Sequence, residues 1–160
     1  MNARFFQLLE FTRSITAAIH GYDNTPPSDA IHNLEWLCAR FLDPLREAIG
    51  SPIIISSGYR CRDLNTAVGG SATSYHLLGL AADFHPLDPE KREEIISRVK
   101  EAKEKGERWK VTHEGEEPPC MFNQFIIYPT FFHVAVSPEG SAQKLQILRY
   151  NGFGQGYHVD

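Results

Sequence analysis

The chain of 160 residues has the length of a single domain, and its composition excludes several classes of protein. Hydrophobic residues make up 42% of the sequence and aromatic residues 11%, enough to form a core and to argue against intrinsic disorder. The formal net charge of -4 argues against a nucleic-acid partner, because such proteins usually carry a basic surface. We therefore expect one domain over residues 1–160, and a monomer.

The N-terminal residues predict no export signal, and the sequence as a whole predicts no membrane span. Residues 1–10 lack the long apolar run and the small-residue cleavage site of a signal peptide. No stretch approaches the ~20 apolar residues that a membrane helix needs. Three cysteines without a C-x-x-C pair predict free thiols. We expect a protein that is cytoplasmic as synthesised and that reaches any target outside the cytoplasm only after export or lysis.

Apolar periodicity and helix-capping residues predict helices mainly in the first half of the chain. A short helix within residues 1–20 should end at Gly21. A longer helix should begin with Ser28 as its N-cap and close at Gly50. Pro44 interrupts this longer helix, and because proline removes a backbone hydrogen bond, we expect a kink there.

The rest of the chain predicts two further helices and several short strands. A brief helix at 64–68 should stop at Gly69, and another should run from the N-cap Asp88 to Gly106. The charged segment 107–119 is predicted to be a loop. Runs of β-branched and aromatic residues predict strands at 53–55, 80–84, 125–128, 131–136 and 146–150. This order of elements favours an α+β domain with a mostly antiparallel sheet and helices packed on it.

The segment from Ser74 to Asp83 reads S-Y-H-L-L-G-L-A-A-D and contains two good zinc ligands. His76 and Asp83 stand seven residues apart, and a loop that bends at Gly79 before a strand would bring them together. His133 is the best candidate for a third ligand, because it lies inside an otherwise apolar strand. A histidine in such a strand is alternatively a hydrogen-bonded core residue, and the residues alone leave both interpretations open.

Three ordered motifs resemble the zinc D-Ala-D-Ala carboxypeptidase family, which includes phage L-alanyl-D-glutamate endopeptidases and D-Ala-D-Ala dipeptidases. The motifs are S-G-Y-R at 57–60, L-N-x-A-V-G-G at 64–70 and S-x-H-x-x-G-x-A-x-D at 74–83. Further similar patterns are N-T-P-P at 24–27, L-x-P-L-R at 42–46 and F-x-Q-x-I-x-Y-P-T-F-x-H-V at 122–134. The resemblance covers about residues 8–150 and implies a fold similar to the zinc domain of hedgehog signalling proteins.

The resemblance also implies a cofactor, a substrate and roles for five residues. It makes His76, Asp83 and His133 the ligands of a zinc ion, with a fourth position left for water. Arg60 would bind a substrate carboxylate or stabilise the developing oxyanion. Ser74 would hydrogen-bond the substrate, or alternatively cap its own loop. The substrates implied are peptidoglycan stem peptides of bacterial cell walls.

One residue of the family pattern has no counterpart in this sequence. Many family members place an acidic residue three positions before the last zinc histidine, where it acts as the general base. The residue at that position is Thr130, which cannot accept a proton in this way. Other candidates for the base are His85, His113, Glu114, Glu116 and Glu117. The sequence therefore predicts a zinc peptidase of carboxypeptidase or endopeptidase type. The alternative is a weak or inactive zinc-containing module that binds cell-wall peptides without cutting them.

Overall fold

A computed structural model describes residues 1–112 and 120–160, which form an α+β domain. The helices are α1 (Leu8–Thr12), α2 (Ile15–His20), α3 (Ser28–Leu37), α4 (Asp43–Ile49), α5 (Arg62–Ala67) and α6 (Arg92–Thr112). The strands are β1 (Ile53–Ser57), β2 (Ala81–Pro86), β3 (Gln124–Ile127), β4 (Phe132–Ala135), β5 (Gln146–Tyr150) and β6 (Tyr157–Val159). The fold class expected from the sequence is confirmed. No helix within these two ranges is long and apolar enough to cross a membrane.

The six strands form one mixed sheet in the order β1-β2-β4-β3-β5-β6. Neighbouring strands are antiparallel except for β3 and β5, which run parallel. Because side chains alternate between the two faces of a sheet, each strand contributes to a core face and to an opposite face. The core face carries buried side chains that pack against residues of α3, α4 and α6, including Ile55, Phe84, Phe125, Phe132 and Ile147.

The long helix predicted between Ser28 and Gly50 is divided at the expected place. A π-helical turn, Cys38–Leu42, separates α3 from α4 directly before Pro44. Proline has no N–H to donate to the carbonyl of Arg40, four residues earlier. The backbone N–H of Met121 donates to that carbonyl instead, at 2.9 Å. Ser28 is the first helical residue rather than the N-cap, which is Pro27.

The N-terminal helix predicted within residues 1–20 is two short helices. The backbone is extended at Arg13, and the side chain of Ser14 then caps α2 by accepting a hydrogen bond from the backbone N–H of Ala17. The helical segment ends at Gly21 as predicted, with a φ of 68° that favours glycine. The side chain of Ser14, which caps α2, therefore explains why the chain forms two helices here rather than one.

The predicted end of α6 at Gly106 is wrong, because the helix continues to Thr112. Segment 107–119 is accordingly not a loop over its first six residues, and residues 113–119 lie outside the described part of the chain. Ion pairs spaced three or four residues apart support α6, among them Lys105–Glu101 and Arg98–Glu94. This support offsets the cost of about 1 kcal/mol for a glycine inside a helix.

Strand β6 was not predicted from the sequence. It follows a turn in which Gly152, Gly154 and Gly156 have positive φ, and it pairs with β5. The side chain of Asp160, just after β6, accepts a hydrogen bond from Nε of Arg149 on β5, at 2.9 Å. A strand of three residues is too short to show a recognisable alternation of apolar and polar residues. It is stable only because it pairs with β5.

Candidate metal centre

His76 lies on a short 3₁₀ turn, Tyr75–Leu78, that precedes β2. The Oγ of Ser74 accepts a hydrogen bond from the backbone N–H of His76, at 3.3 Å. The turn ends at Gly79, which has a φ of +73° and where a Cβ would lie 2.4 Å from the backbone oxygen of Ala30. Only glycine satisfies both conditions, so this residue makes the bend that directs the chain from His76 into β2.

Strands β2 and β4 place Asp83 and His133 directly opposite each other in the sheet. The Oδ1 of Asp83 is 2.7 Å from Nδ1 of His133 and 3.3 Å from Nε2 of His76. The three possible ligand atoms all lie within 4.8 Å of one another. The structure therefore brings together the three residues that the sequence indicates as metal ligands.

The residues of this cluster fit a zinc ion. The Nδ1 of His76 is 2.6 Å from the backbone oxygen of Gly58, a contact that requires a proton on this nitrogen. The lone pair of Nε2 then faces Asp83 and His133, which is how metal-bound histidines are usually oriented by a second hydrogen bond. Two imidazole nitrogens and one carboxylate oxygen are a donor set typical of catalytic zinc.

Electrostatic interactions favour the protonation states that a metal requires. Burial alone would raise the pKa of Asp83, but its interactions with His133 and His76 outweigh this effect and hold the pKa well below its usual range. Burial lowers the pKa of His76, whose side chain is 3% exposed. At neutral pH Asp83 is therefore a carboxylate and His76 a neutral imidazole, the forms that bind metal.

Arg60 contacts the cluster from the side of β1. Its Nη2 donates to Oδ2 of Asp83 at 2.8 Å, and its Nε donates to Oγ of Ser57 at 2.9 Å. Its backbone N–H donates to the carbonyl of His76 at 3.1 Å. The guanidinium group is thus held in one orientation beside the carboxylate that faces both histidines.

Asn24 fixes the backbone on both sides of Arg60, a role that its place in the N-T-P-P pattern does not predict. The buried side-chain amide of Asn24 donates to the carbonyl of Thr12 at 2.8 Å and to that of Tyr59 at 3.1 Å. Its Oδ1 accepts a hydrogen bond from the backbone N–H of Cys61 at 2.7 Å. One side chain therefore ties three segments together next to the site.

The other residues considered from the sequence lie at different places around the cluster. Ser74 caps the 3₁₀ turn and also lines a cavity of about 370 Å³ together with Arg60. Thr130 is exposed in the turn between β3 and β4. His85 lies on β2, two residues after Asp83, and its Nδ1 contacts the carbonyl of Pro86 at 3.0 Å. The candidate bases at positions 113, 114, 116 and 117 lie outside the described residues.

A group of aromatic side chains lies on the ligand-bearing face of the sheet, and its formation was not predicted from the sequence. Tyr128 stacks on Phe131 with ring centroids 4.3 Å apart, and it also contacts Tyr150 and Tyr157. Its hydroxyl is 2.9 Å from that of Tyr157. Burial, this hydrogen bond and the nearby charges raise the pKa of Tyr128, so its hydroxyl stays protonated at neutral pH.

Comparison with protein families agrees with this geometry. The family model described as Peptidase M15 matches residues 4–114, more than half of the chain. The chain belongs to the peptidase M15 family. M15 peptidases are metal-dependent, and the matched segment contains Arg60, His76 and Asp83, whereas His133 lies beyond it. No curated protein sequence matches this M15 family member.

Proposed function

We propose that this M15 family member is a zinc-dependent hydrolase that cleaves peptidoglycan stem peptides, as a D-Ala-D-Ala carboxypeptidase or an endopeptidase. The observation that carries the proposal is the convergence of His76, Asp83 and His133, with Arg60 on the second oxygen of the same carboxylate. The family membership supports the peptidase chemistry, and the sequence motifs support the cell-wall substrate. The protein would act on the cell wall after export or lysis.

The residues of the site have distinct roles in this proposal. His76, Asp83 and His133 would hold the zinc ion, which would supply polarisation of the scissile carbonyl and a lower pKa for water. The guanidinium group of Arg60, held by Ser57 and Asp83, donates hydrogen bonds to a substrate carboxylate or to the charge that develops on the carbonyl oxygen. Ser74, beside Arg60 in the same cavity, hydrogen-bonds the substrate backbone.

A second candidate function follows from Thr130, which stands where many relatives have an acid. The hydroxyl of threonine does not accept a proton at neutral pH, so attack by water would lack its usual general base. A protein with the metal but without the base would hold a stem peptide and cut it slowly or not at all. This alternative is a zinc-containing binding module for cell-wall peptides.

The experiment that tests the proposal is incubation of zinc-loaded protein with purified cell-wall fragments, followed by mass spectrometry of the products. The hydrolase predicts released D-alanine or shortened stem peptides, and the site of cleavage separates carboxypeptidase from endopeptidase activity. His76→Ala is the control, because two remaining ligands bind zinc weakly. Fragments that bind the protein but stay intact would replace the hydrolase with the binding module.

A further inference from the structure

A groove outside the metal cluster runs between α2, β1 and α5. It has a volume of about 840 Å³, which lies within the range typical of ligand sites. Its apolar lining comes from all three elements and the residues next to them, and includes Ile15, Ile54, Leu64 and Val68. Ile15 and Val68 are 81% and 46% exposed, so these apolar side chains are open to a ligand.

One side of this groove is the outer edge of the sheet. Strand β1 is the first strand in the sheet order, and in the described part of the chain only β2 pairs with it. The pairing has a bulge in which Ile55 faces Phe84 and Ser57 faces Asp83, so that Ser56 between them faces no residue. An edge of this kind offers backbone groups to an extended peptide, which can add to the sheet as a further strand.

The charge of the groove is opposite to that of the whole protein. Arg13 and Arg60 line it, Arg60 being paired with the carboxylate of Asp83, and no acidic side chain is among the described residues of the lining. The chain as a whole carries a formal charge of -4. The exposed guanidinium of Arg13 therefore favours an anionic ligand at the end of the groove that α2 forms.

The groove lies next to the metal cluster, because residues of the segment 57–60 line the groove and contact the cluster. Ser57, Gly58 and Arg60 line the groove, and two of them, Gly58 and Arg60, also contact the proposed ligands. The carbonyl of Gly58 contacts His76, and the guanidinium of Arg60 contacts Asp83. A chain that occupies the groove therefore lies against two residues that contact the proposed metal ligands.

We propose that this groove binds an extended, acidic peptide segment of the substrate that pairs with the outer edge of β1. The apolar lining accepts small side chains such as alanine, and Arg13 pairs with a free carboxylate of the peptide. The inference rests on the proposed function, because it assigns to the groove the part of the stem peptide next to the bond that is cut.

The test measures binding separately from cleavage. The probe is a fluorescein-labelled synthetic peptide, L-alanyl-γ-D-glutamyl-L-lysyl-D-alanyl-D-alanine, added to zinc-loaded protein. Fluorescence anisotropy gives the dissociation constant, and mass spectrometry of the same samples reports how much peptide is cut. A second probe with amidated carboxyl groups removes the negative charge without changing the length of the peptide.

Two exposed isoleucines of α2 give a matched pair of variants. Ile15 lines the groove, whereas Ile19, 76% exposed on the same helix, does not. We expect Ile15→Glu to weaken binding of the acidic peptide roughly tenfold, a loss of ~1.4 kcal/mol. We expect Ile19→Glu to change it less than about twofold, well under ~1 kcal/mol. Melting curves of both variants show whether each is folded, and both positions are exposed enough to accept the change.

A charge reversal provides an independent second pair. Arg13→Glu should weaken binding of the acidic peptide roughly fivefold. This effect should be smaller at high salt, because the ion pair between Arg13 and the peptide carboxylate is exposed to solvent. The same substitution should leave binding of the amidated peptide unchanged. Lys144→Glu changes the net charge equally at an exposed site outside the groove and should have no effect.

Amide hydrogen exchange reports the strand pairing itself. Binding of the peptide should slow exchange in residues 54–57 more than in β6, which is the opposite edge of the sheet. Equal effects of Ile15→Glu and Ile19→Glu, unchanged exchange in residues 54–57, or no binding of the probe would each overturn the inference. Groove-dependent binding without cleavage would instead support the inference and reject the hydrolase.

Discussion

The carboxylate of Asp83 faces two histidines with one oxygen and an arginine with the other. The two oxygens therefore have separate roles, and a single substitution at Asp83 would affect both roles at once. One oxygen belongs to the metal cluster, while the other fixes the guanidinium group of Arg60. Variants of Arg60 therefore probe the handling of substrate with the three ligands left in place.

Arg60→Lys should lower turnover of stem peptides by about 10²–10³-fold, although it keeps the positive charge. Lysine lacks the planar group that contacts Ser57 and Asp83 at the same time, so it cannot hold a donor in the same orientation. The measurement is the rate of product release by mass spectrometry, with zinc content checked by elemental analysis. Arg98→Lys, on the surface of α6, is the control. Full activity of Arg60→Lys with normal zinc content would show that only the charge matters.

Thr130→Glu should raise the rate of cleavage by up to ~10²-fold, because it supplies a general base where many relatives have one. Thr130→Gln is the matched control, with the same shape as the glutamate but no basic group. The comparison uses single-turnover rates of both variants and the natural protein on the same stem peptide. A glutamate that is neutral or harmful would mean that another residue of the natural protein already accepts the proton.

Among the elements, the loop that carries Asn24 helps to hold the site in place. It joins the end of α1, at Thr12, to the segment between β1 and α5, at Tyr59 and Cys61. The segment it holds contains Arg60, so a weaker loop would loosen the guanidinium group without removing any ligand. Stability and substrate handling should therefore change together in variants of this residue.

Asn24→Ala should lower the free energy of unfolding by about 1–3 kcal/mol, because it leaves buried backbone groups without partners. Urea denaturation monitored by circular dichroism measures the change. Asn33→Ala is the comparison, since the side chain of Asn33 makes a single exposed hydrogen bond to the carbonyl of Leu78. If Asn24→Ala lowers the free energy of unfolding no more than Asn33→Ala does, the three hydrogen bonds of Asn24 do not hold the segment that contains Arg60.

Elements with strong local signals were predictable, whereas those set by distant contacts were not. The division of the long helix before Pro44 follows from the chemistry of proline alone, and the bend at Gly79 from a conformation that glycine favours. The parallel pairing of β3 with β5 depends on residues far apart in sequence, so no local pattern reveals it. At Gly106 the local signal misled, because ion pairs along α6 outweigh the preference of one residue.

The candidate site shows the same contrast. His76 and Asp83 were recognisable because both fall in one compact motif, and His133 because it is a polar residue in an apolar strand. The hydrogen bonds of Asn24 and the aromatic group around Tyr128 were not, because their partners come from separate segments of the chain. Ligand chemistry can be predicted from residue types, but the surroundings of the ligands follow from the tertiary structure.

For the whole molecule, a bound metal should act as a cross-link within the sheet. The proposed ligands lie on the 3₁₀ turn before β2, on β2 itself and on β4, and Asp83 and His133 are 50 residues apart. Zinc at ~100 times its dissociation constant should therefore stabilise the native state by ~2.7 kcal/mol. Melting curves with zinc and with a chelator measure this difference, and His76→Ala should lose most of it. Identical curves for the natural protein would contradict a metal bridge.

The bend at Gly79 and the strand that follows it also restrict how this part of the gene can change in length. Successive residues of β2 point to opposite faces, so deleting one residue between Gly79 and Asp83 would turn the carboxylate into the core, where Phe84 now packs. Inserting two residues would restore the face but displace Asp83 by about 7 Å along the strand, away from His133. Relatives that keep the site should therefore vary in the residue types of this segment while its length stays constant.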